Sequence, residues 1–396
     1  MTADLPNYSG PRETNSRHAG PTFGIMKLKI ALVAVVAMSA LGWFVLRHSP
    51  QPISTLPDSP TAAKASPPAA HTRATATATD PTPEVSEKRE ATNFIARLVK
   101  GESLPVKLEQ LANYLQANHR SAESLLAAYQ ATHERSLLDE AIAKYPHDPR
   151  VAYTAWFRTP ADPNDPEAIK ARRQALDVLK EAAPDNALAN YLSARNYFVS
   201  GQTEQAIQEL QAGAGKSNFN DYTQDSIQSM TEAYLAAGYS EAEAKLAALT
   251  GALLPHLAEL KQDGVRLVEL AKSYQQAGDN ASAQTMLQMC QDLGQRLDDA
   301  NSMTLIQQLV GIALERMGLE AAAGMSSEAD STQALQDGLQ AVLQRRENIR
   351  TLARAAPIDE WVQTASPEDI IAYCDRERIF GEQKALQWVA NRNSNP

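Results

Sequence analysis

Residues 194–206 (ARNYFVSGQTEQA) and 271–283 (AKSYQQAGDNASA) share one spacing of small, aromatic and glycine residues. In each stretch an alanine is followed by a tyrosine three residues on, a glycine four residues later and another alanine five residues after that. This spacing is typical of two antiparallel helices joined by a tight turn, because glycine readily ends the first helix. Helix pairs repeated along a chain build a solenoid, whose long surface suits binding.

The composition is that of an acidic, helical protein. The 396 residues are 43% hydrophobic and only 6% aromatic, and the formal net charge is −10. Binding to nucleic acid depends on neutralising phosphates with Lys and Arg, so this charge balance argues against a nucleic-acid partner. It argues equally against docking on anionic lipid. We therefore expect an all-α fold whose partners are proteins.

One segment near the N-terminus is long and apolar enough to be a membrane anchor. Residues 30–46 carry no charge, and as a helix they would rise about 26 Å, close to the thickness of a hydrocarbon core. Lys27 and Lys29 precede this run, whereas Arg47 is the only basic residue soon after it. The positive-inside rule thus predicts that residues 25–47 cross the cytoplasmic (inner) membrane, with the N-terminus in the cytoplasm and the bulk of the chain periplasmic.

A cleaved signal peptide is the alternative for the same segment. Met26 begins a sequence that resembles the start of a signal peptide, so translation from this residue would give a secreted product. The best small-residue cleavage site, at residues 37–39, would leave the apolar residues 41–46 exposed at the new N-terminus. The sequence therefore favours an uncleaved anchor.

Composition and periodicity divide the chain into six parts. The segment after the anchor is rich in Pro, Ala, Thr and Ser and lacks the apolar content to form a core. Beyond it, apolar residues recur at helical spacing. The predicted parts are a disordered cytoplasmic tail (1–24), the anchor (25–47), a disordered linker (48–86), N-terminal helical hairpins (87–147), repeats (148–325) and a helical C-terminal cap (326–396).

The repeats resemble the tetratricopeptide repeat (TPR) family. One matching copy consists of residues 184–187 (PDNA), Tyr191, Ala194, Tyr197, Gly201, Ala206 and Ile207. A second consists of Leu270, Ala271, Tyr274, Gly278, Ala283 and Leu287. The chain as a whole also resembles bacterial envelope proteins that join a single anchor to a helical-repeat ectodomain. The resemblance implies a helix-hairpin solenoid.

Two further copies are weaker, and the repeat is longer than in the family. The predicted turn glycines are Gly201, Gly238, Gly278 and Gly318, which lie 37, 40 and 40 residues apart. A TPR period is about 34 residues. We therefore expect an irregular, TPR-like solenoid with a turn at each of these four glycines.

The resemblance also implies a binding surface. In TPR proteins the first helix of each pair lines a concave groove that holds a partner segment. By position, the corresponding residues here are Tyr191, Arg195, Phe198, Val268, Lys272 and Gln275. A purely structural alternative is that Phe198 and Val268 belong to the core.

A second candidate site is a basic stripe on the predicted C-terminal helix. Arg346, Arg350 and Arg354 recur every four residues and would share one face, next to Arg345. Arginines in this arrangement could hold an acidic peptide or a phosphate. Because Glu347 is interleaved, an ordinary solvated charge stripe explains the pattern equally well.

The motifs of catalysis and cofactor binding are incomplete. Residues 213–217 (GAGKS) imitate the end of a phosphate-binding loop, but Leu210 stands where that motif requires glycine, so no nucleotide is expected. The seven histidines show no metal-ligand spacing, and Cys290 and Cys374 are too isolated for a metal site, although a disulfide between them is sterically possible. We therefore predict no catalytic, cofactor-binding or metal-binding residues.

The sequence as a whole favours a binding protein over an enzyme. We expect a membrane-anchored scaffold or assembly factor of the bacterial envelope that holds a segment of an unknown protein partner in a helical-repeat groove. One alternative is an envelope enzyme, or the accessory domain of one. The other is a structural or self-assembling ectodomain, which an apolar patch on the last helices would favour.

Overall fold

The computed structural model describes residues 104–160, 162–299, 302–325 and 329–394. The predicted cytoplasmic tail, membrane anchor and linker all lie outside these residues. None of the helices in the described part of the chain is both long and apolar enough to cross a membrane.

The described residues form an all-α fold, which confirms the predicted fold class. A short 3-10 helix at Leu108–Leu111 comes first, and the β contacts of these residues are limited to one bridge between Asn186 and Asn218. The α-helices are α1 Ala112–Ala117, α2 Ala122–Thr132, α3 Arg135–Lys144, α4 Pro149–Arg158, α5 Pro166–Ala182, α6 Ala187–Val199, α7 Thr203–Ala214, α8 Thr223–Ala236, α9 Glu241–Thr250, α10 Pro255–Gln276, α11 Asn280–Leu297, α12 Leu305–Met325, α13 Ala329–Ala355, α14 Ile358–Thr364, α15 Pro367–Phe380 and α16 Glu382–Ser394.

Three helix starts are fixed by capping contacts. The side chains of Ser121, Asp148 and Ser366 each accept a hydrogen bond from a backbone amide in the first turn of the following helix. The last two are followed by Pro149 and Pro367, whose missing amide hydrogen costs nothing at the first helical position. Local sequence therefore fixes where α2, α4 and α15 begin.

Three of the four predicted turn glycines end a helix as expected. Gly201, Gly238 and Gly278 have φ values of +74°, +98° and +80°, the left-handed conformation that glycine adopts most easily. The amide after each glycine donates to a tyrosine carbonyl five residues earlier, which closes a Schellman motif. The acceptors are Tyr197, Tyr234 and Tyr274, at 2.9, 3.2 and 2.9 Å. The Tyr-to-Gly spacing is thus a helix-ending signal.

The prediction of a fourth turn at Gly318 is wrong. This glycine lies inside α12, where a Cβ atom would stand 2.7 Å from Cγ of Gln291 and 3.1 Å from the carbonyl oxygen of Leu287. Both neighbours belong to α11. Gly318 therefore allows α11 and α12 to approach closely. In the sequence a glycine of this kind cannot be told from a glycine that ends a helix.

The hairpins do not stack in chain order. Helices α6 and α7 pack together, as do α8 and α9, and α10 and α11. Yet α6 packs directly on α10, whereas α8 packs on α2 and α9 packs on α15. The hairpin α8–α9 is therefore not stacked between the hairpins that precede and follow it in the sequence.

Two hydrophobic cores result from this arrangement. The first core joins α1–α3, the hairpin α8–α9 and the C-terminal helices, with Leu125, Ala244 and Leu386 among its buried residues. The second core joins α4–α7 with α10 and α11, and includes Leu188 and Leu267. Helix α12 contributes side chains to both.

The chain leaves the second core for the first through residues 215–222. The side-chain amide of Asn186 donates to the carbonyl oxygen of Asn220 at 2.7 Å, and its oxygen accepts from the Asn220 amide at 3.0 Å. The amide of Ala187 also donates to Asn218, at 2.9 Å. Tyr222 then adopts φ +59° immediately before α8. We call residues 215–222 the crossing loop.

Candidate functional site

Two arginines from neighbouring helices share one carboxylate on the α6–α10 face. Arg172 on α5 donates through Nη2 to Glu259 Oε1 at 3.0 Å, and Nε of Arg195 on α6 lies 3.3 Å from Glu259 Oε2. Glu259 belongs to α10, and its side chain is one quarter exposed. Because two guanidinium groups converge on one carboxylate, this part of the face carries a net positive charge.

Aromatic and apolar side chains support the charged group. The guanidinium carbon of Arg172 lies 4.8 Å from the centre of the Trp156 ring, a cation–π contact that fixes its position. Phe198 on α6 is half-buried, packs against the second core and follows Arg195 by three residues. Val268 is also half-buried, but it follows Glu259 by nine residues and so lies on the other side of α10. The face therefore offers positive charge and the apolar surface of Phe198.

Asp263 lies one helical turn beyond Glu259 and is fully buried. Neither of its carboxylate oxygens has a hydrogen-bond partner among the described residues. Burial raises the pKa of Asp263 well above its usual value, and the positive charge of Arg195 opposes that rise only in part. Burial therefore favours the neutral, protonated form of this side chain beneath the arginines.

The six predicted groove residues occupy different environments. Arg195 is half-buried in the charged group, Gln275 is half-buried, and Lys272 is exposed. Tyr191 is only 3% exposed, because its ring lies beneath Gly213 of α7. Phe198 is shared between the core and the face, whereas Val268, Lys272 and Gln275 lie on the side of α10 opposite Glu259. The structure thus brings Arg195 and Phe198 to the face with Glu259 and does not bring the three α10 residues there.

Three residues of this face were not predicted as part of the site. Arg172 comes from α5, the second helix of its pair, which the family picture assigns to the outside. Glu259 and Asp263 follow each other at helical spacing, a sequence signal for two carboxylates on one face of α10. The sequence does not identify Glu259 as part of a site, because its arginine partners come from other helices, and Asp263 has no hydrogen-bond partner among the described residues.

The arginines of the predicted basic stripe on α13 have different partners. Arg354 pairs with Glu347 at 3.1 Å, and Arg350 lies 3.9 Å from the same carboxylate. Arg345 instead faces the other way, toward Glu315 of α12 at 2.6 Å and toward Asp298. Arg346 forms no ion pair with any described residue.

A buried polar network connects the crossing loop to the second core. The hydroxyl of Tyr153 lies 3.0 Å from Nδ1 of His256, and Nε2 of His256 lies 3.3 Å from Asp221 Oδ2. His256 is fully buried at the N-terminal end of α10, so burial lowers the pKa of its imidazole although Asp221 opposes the shift. No substrate could reach this histidine. The network holds α4, α10 and the crossing loop together.

A cavity of about 220 Å³ lies between α8, α9 and α15. Its lining is mixed: Leu235 is apolar, whereas Lys245 and Asp375 form an ion pair at 2.7 Å. Next to this cavity the end of α15 exposes Ile379 and Phe380, by 55% and 64%. The two residues form an apolar patch on the last helices.

The cysteines are separate, and the described residues contain no cluster that could hold a metal ion. Cys290 and Cys374 are both free thiols, buried in the second and first core respectively. Burial is the main reason that the pKa of the Cys290 thiol rises to about 12. Both thiols are therefore packing residues in this fold.

Similarity to other proteins adds nothing to this picture. No family model matches the chain, and comparisons with the curated proteins and with the solved structures find no match. With no relative to suggest a function, the α6–α10 face itself is the evidence for one.

Proposed function

We propose that this protein is an interaction scaffold of the bacterial envelope that binds a partner segment on the α6–α10 face. In this proposal residues 25–47 anchor the chain in the cytoplasmic membrane, and the folded part lies outside the cytoplasm. The hairpins that carry the face form a short, irregular, TPR-like solenoid. The protein acts by binding and not by catalysis.

The observation that carries the proposal is the shared carboxylate at Glu259. Arg172 and Arg195 can each hold an anion, but they share one partly exposed carboxylate. A carboxylate of the partner could therefore pair with Arg195 without leaving Glu259 alone, because Arg172 would remain bound to it. The half-buried Phe198 would receive an apolar side chain of the same segment.

Exposed Lys272 does not belong to this face. It follows Glu259 by 13 residues, which places it on the opposite side of α10. The expected partner segment is extended or helical and carries an acidic residue beside an apolar one. Membrane anchoring would raise the local concentration of such a partner.

Site-specific crosslinking in membranes tests this proposal. A photo-reactive amino acid at Gln262 of the full-length chain, exposed on α10 less than one turn after Glu259, should give a discrete crosslinked product. Arg195→Glu should weaken formation of that product at least about tenfold, since losing one member of a half-buried charge pair costs about 2 kcal/mol or more. The matched control is Lys272→Glu, because it reverses a charge on the same helix but on the side opposite Glu259.

The position of the crosslinker provides a second control. Gln211 is exposed on α7, the second helix of its pair, and a crosslinker there should give no product. Equal products from Gln211 and Gln262, or a product insensitive to Arg195→Glu, would remove the α6–α10 face as the binding surface.

The apolar patch at Ile379 and Phe380 favours self-assembly as a second candidate function. Two large apolar side chains that are more than half exposed mark a contact surface, because burying them would release unfavourably hydrated area. Sedimentation equilibrium of the full-length protein should then show a dimer that Phe380→Ser converts to a monomer. A wild-type protein that remains monomeric at tens of micromolar excludes this candidate.

A further inference from the structure

Helices α12 and α13 bring arginines from two helices together. The contact of Arg345 with Glu315 and the contact of Gly338 with Leu319 show that the helices run antiparallel. The next residue along each helix is again an arginine, Arg316 on α12 and Arg346 on α13. Arg350 lies one turn further along α13, on the same side as Arg346.

The charges of these three arginines are incompletely balanced. Arg316 lies 3.3 Å from Glu320, and Arg350 lies 3.9 Å from Glu347. Both carboxylates are about half exposed, and Glu347 is held more closely by Arg354. The three guanidinium groups therefore share weak, solvated counter-charges.

Arg346 is the residue without a counter-ion. It forms no ion pair or hydrogen bond with a described residue, and its Nε atom is buried without an acceptor. Burial, followed by the positive charges of Arg350 and Arg316, lowers the pKa of its guanidinium. A cation that is partly desolvated and faces two like charges gains more from a bound anion than an exposed lysine or arginine does.

We propose that Arg316, Arg346 and Arg350 form a binding site for a phosphate-type dianion. Planar guanidinium groups donate in pairs to oxyanions, and donors from two helices can surround a tetrahedral group more completely than a stripe on one helix. The ligand group is either a soluble phosphate monoester or the monoester headgroup of a lipid. Arg354 is not part of the site, because its guanidinium group already pairs with Glu347.

Calorimetric titration of the full-length protein in detergent with inorganic phosphate tests the site, with chloride added to keep ionic strength constant. Wild-type protein should bind phosphate saturably. Arg346→Gln should raise the Kd about tenfold or more, which corresponds to the loss of a charge-assisted hydrogen bond. Arg354→Gln should leave the Kd within about twofold, because Arg354 pairs only with Glu347.

Two results would overturn the proposal: no saturable binding to wild-type protein, or an equal loss in the two variants, which would indicate general charge screening. Co-sedimentation with vesicles that contain phosphatidic acid then identifies the source of the ligand. Retention that depends on Arg346 supports the site and assigns a lipid headgroup. Phosphate binding without such retention supports the site and assigns a soluble ester.

Discussion

The two hydrophobic cores are built from similar helical hairpins but differ in their buried titratable groups. In the second core the fully buried His256 connects α4, α10 and the crossing loop, and the fully buried Asp263 lies further along α10. In the first core Glu377 of α15 is buried, and its pKa is raised well above its usual value by burial and then by the nearby Glu382. Each core therefore buries an acid whose neutral form is favoured, and among the described residues the second core alone adds a buried base.

The cores also differ in how they use the chain. The second core is formed by segments on both sides of the hairpin α8–α9, while that hairpin packs in the first core between the N-terminal and C-terminal helices. Neither core can be completed by a continuous stretch of sequence. We infer that the two cores unfold together. This inference can be tested because each core contains at least one tryptophan.

The largest expected effect is from truncating a fully buried leucine in either core. Leu188→Ala in the second core and Leu386→Ala in the first should each cost about 2–5 kcal/mol of unfolding free energy, because both side chains are at most 1% exposed. Trp156 reports on the second core, and Trp361 and Trp388 report on the first.

Urea unfolding followed by fluorescence and by circular dichroism measures the coupling of the cores. Each leucine variant should lower one common midpoint, which both methods detect. The Trp156→Phe background separates the two fluorescence signals. Two transitions, with Leu188→Ala moving one and Leu386→Ala the other, would show that the cores unfold independently.

A somewhat smaller effect is expected where α11 and α12 touch through their backbones. A Cβ atom on Gly311 would stand 2.5 Å from the carbonyl oxygen of Gly294 and 2.8 Å from the amide of Asp298. Gly311→Ala should therefore destabilise the protein by about 1–3 kcal/mol, because backbone atoms must move apart. Thermal unfolding measures this loss.

Gly324 provides the matched control, because it also lies in α12 but a Cβ atom there would meet nothing within 4 Å. Gly324→Ala should stabilise the protein by up to about 1 kcal/mol, since alanine has the higher helix propensity. Similar effects from the two substitutions would contradict the close backbone contact between α11 and α12.

These glycines show how far the sequence predicts the fold. The spacing of Tyr197 and Gly201 predicts a helix end because the Schellman motif is formed by local contacts alone. Gly318 follows a similar small-residue spacing, yet it serves a contact with α11. The distinction depends on a partner helix, which no local pattern identifies.

The same limit applies to the candidate site. Arg195 was predicted from its place in a repeat, and the structure gives it a charged partner on α10. Arg172 and Glu259 could not be predicted, because α6 meets α10 only when the hairpin α8–α9 packs elsewhere. Helix ends are local properties, whereas the order in which hairpins pack depends on contacts between distant residues.

Neutralising the buried acid of the first core should stabilise the protein at neutral pH. The folded state keeps a proton on Glu377 that the unfolded chain loses above about pH 4.5. Stability is therefore present below that pH and falls as the pH rises toward the folded-state pKa, by up to about 1.4 kcal/mol per pH unit. Glu377→Gln should raise the Tm at pH 7 and leave it nearly unchanged at pH 4.

The exposed Glu368 lies on the same helix and provides the control for this variant. Glu368→Gln should change the Tm little at either pH, because substitution of an exposed side chain removes few contacts. A Tm at pH 7 that Glu377→Gln leaves unchanged or lowers would show that the carboxylate is ionised and stabilising in the folded state.

The buried base of the second core should have the opposite pH dependence. Because the pKa of His256 is lowered on folding, its contribution to stability is present above about pH 6.5 and is lost as the pH falls. Between about pH 4.5 and 6.5 this slope opposes that of Glu377, so the two partly cancel in the wild-type protein.

Each substitution should therefore change the pH dependence of the wild-type protein in one direction. His256→Gln keeps a polar partner for Tyr153 but cannot take up a proton in this range, so from pH 5 to 6.5 its stability should fall more, or rise less, than that of the wild-type protein. In Glu377→Gln the change over the same interval should be the reverse, while the buried Asp263 contributes equally to both variants. His147→Gln, at an exposed turn, should retain the wild-type profile. Parallel slopes in the His256 and Glu377 variants would contradict the contrast between the cores, because removing groups of opposite sign must change the slope in opposite directions.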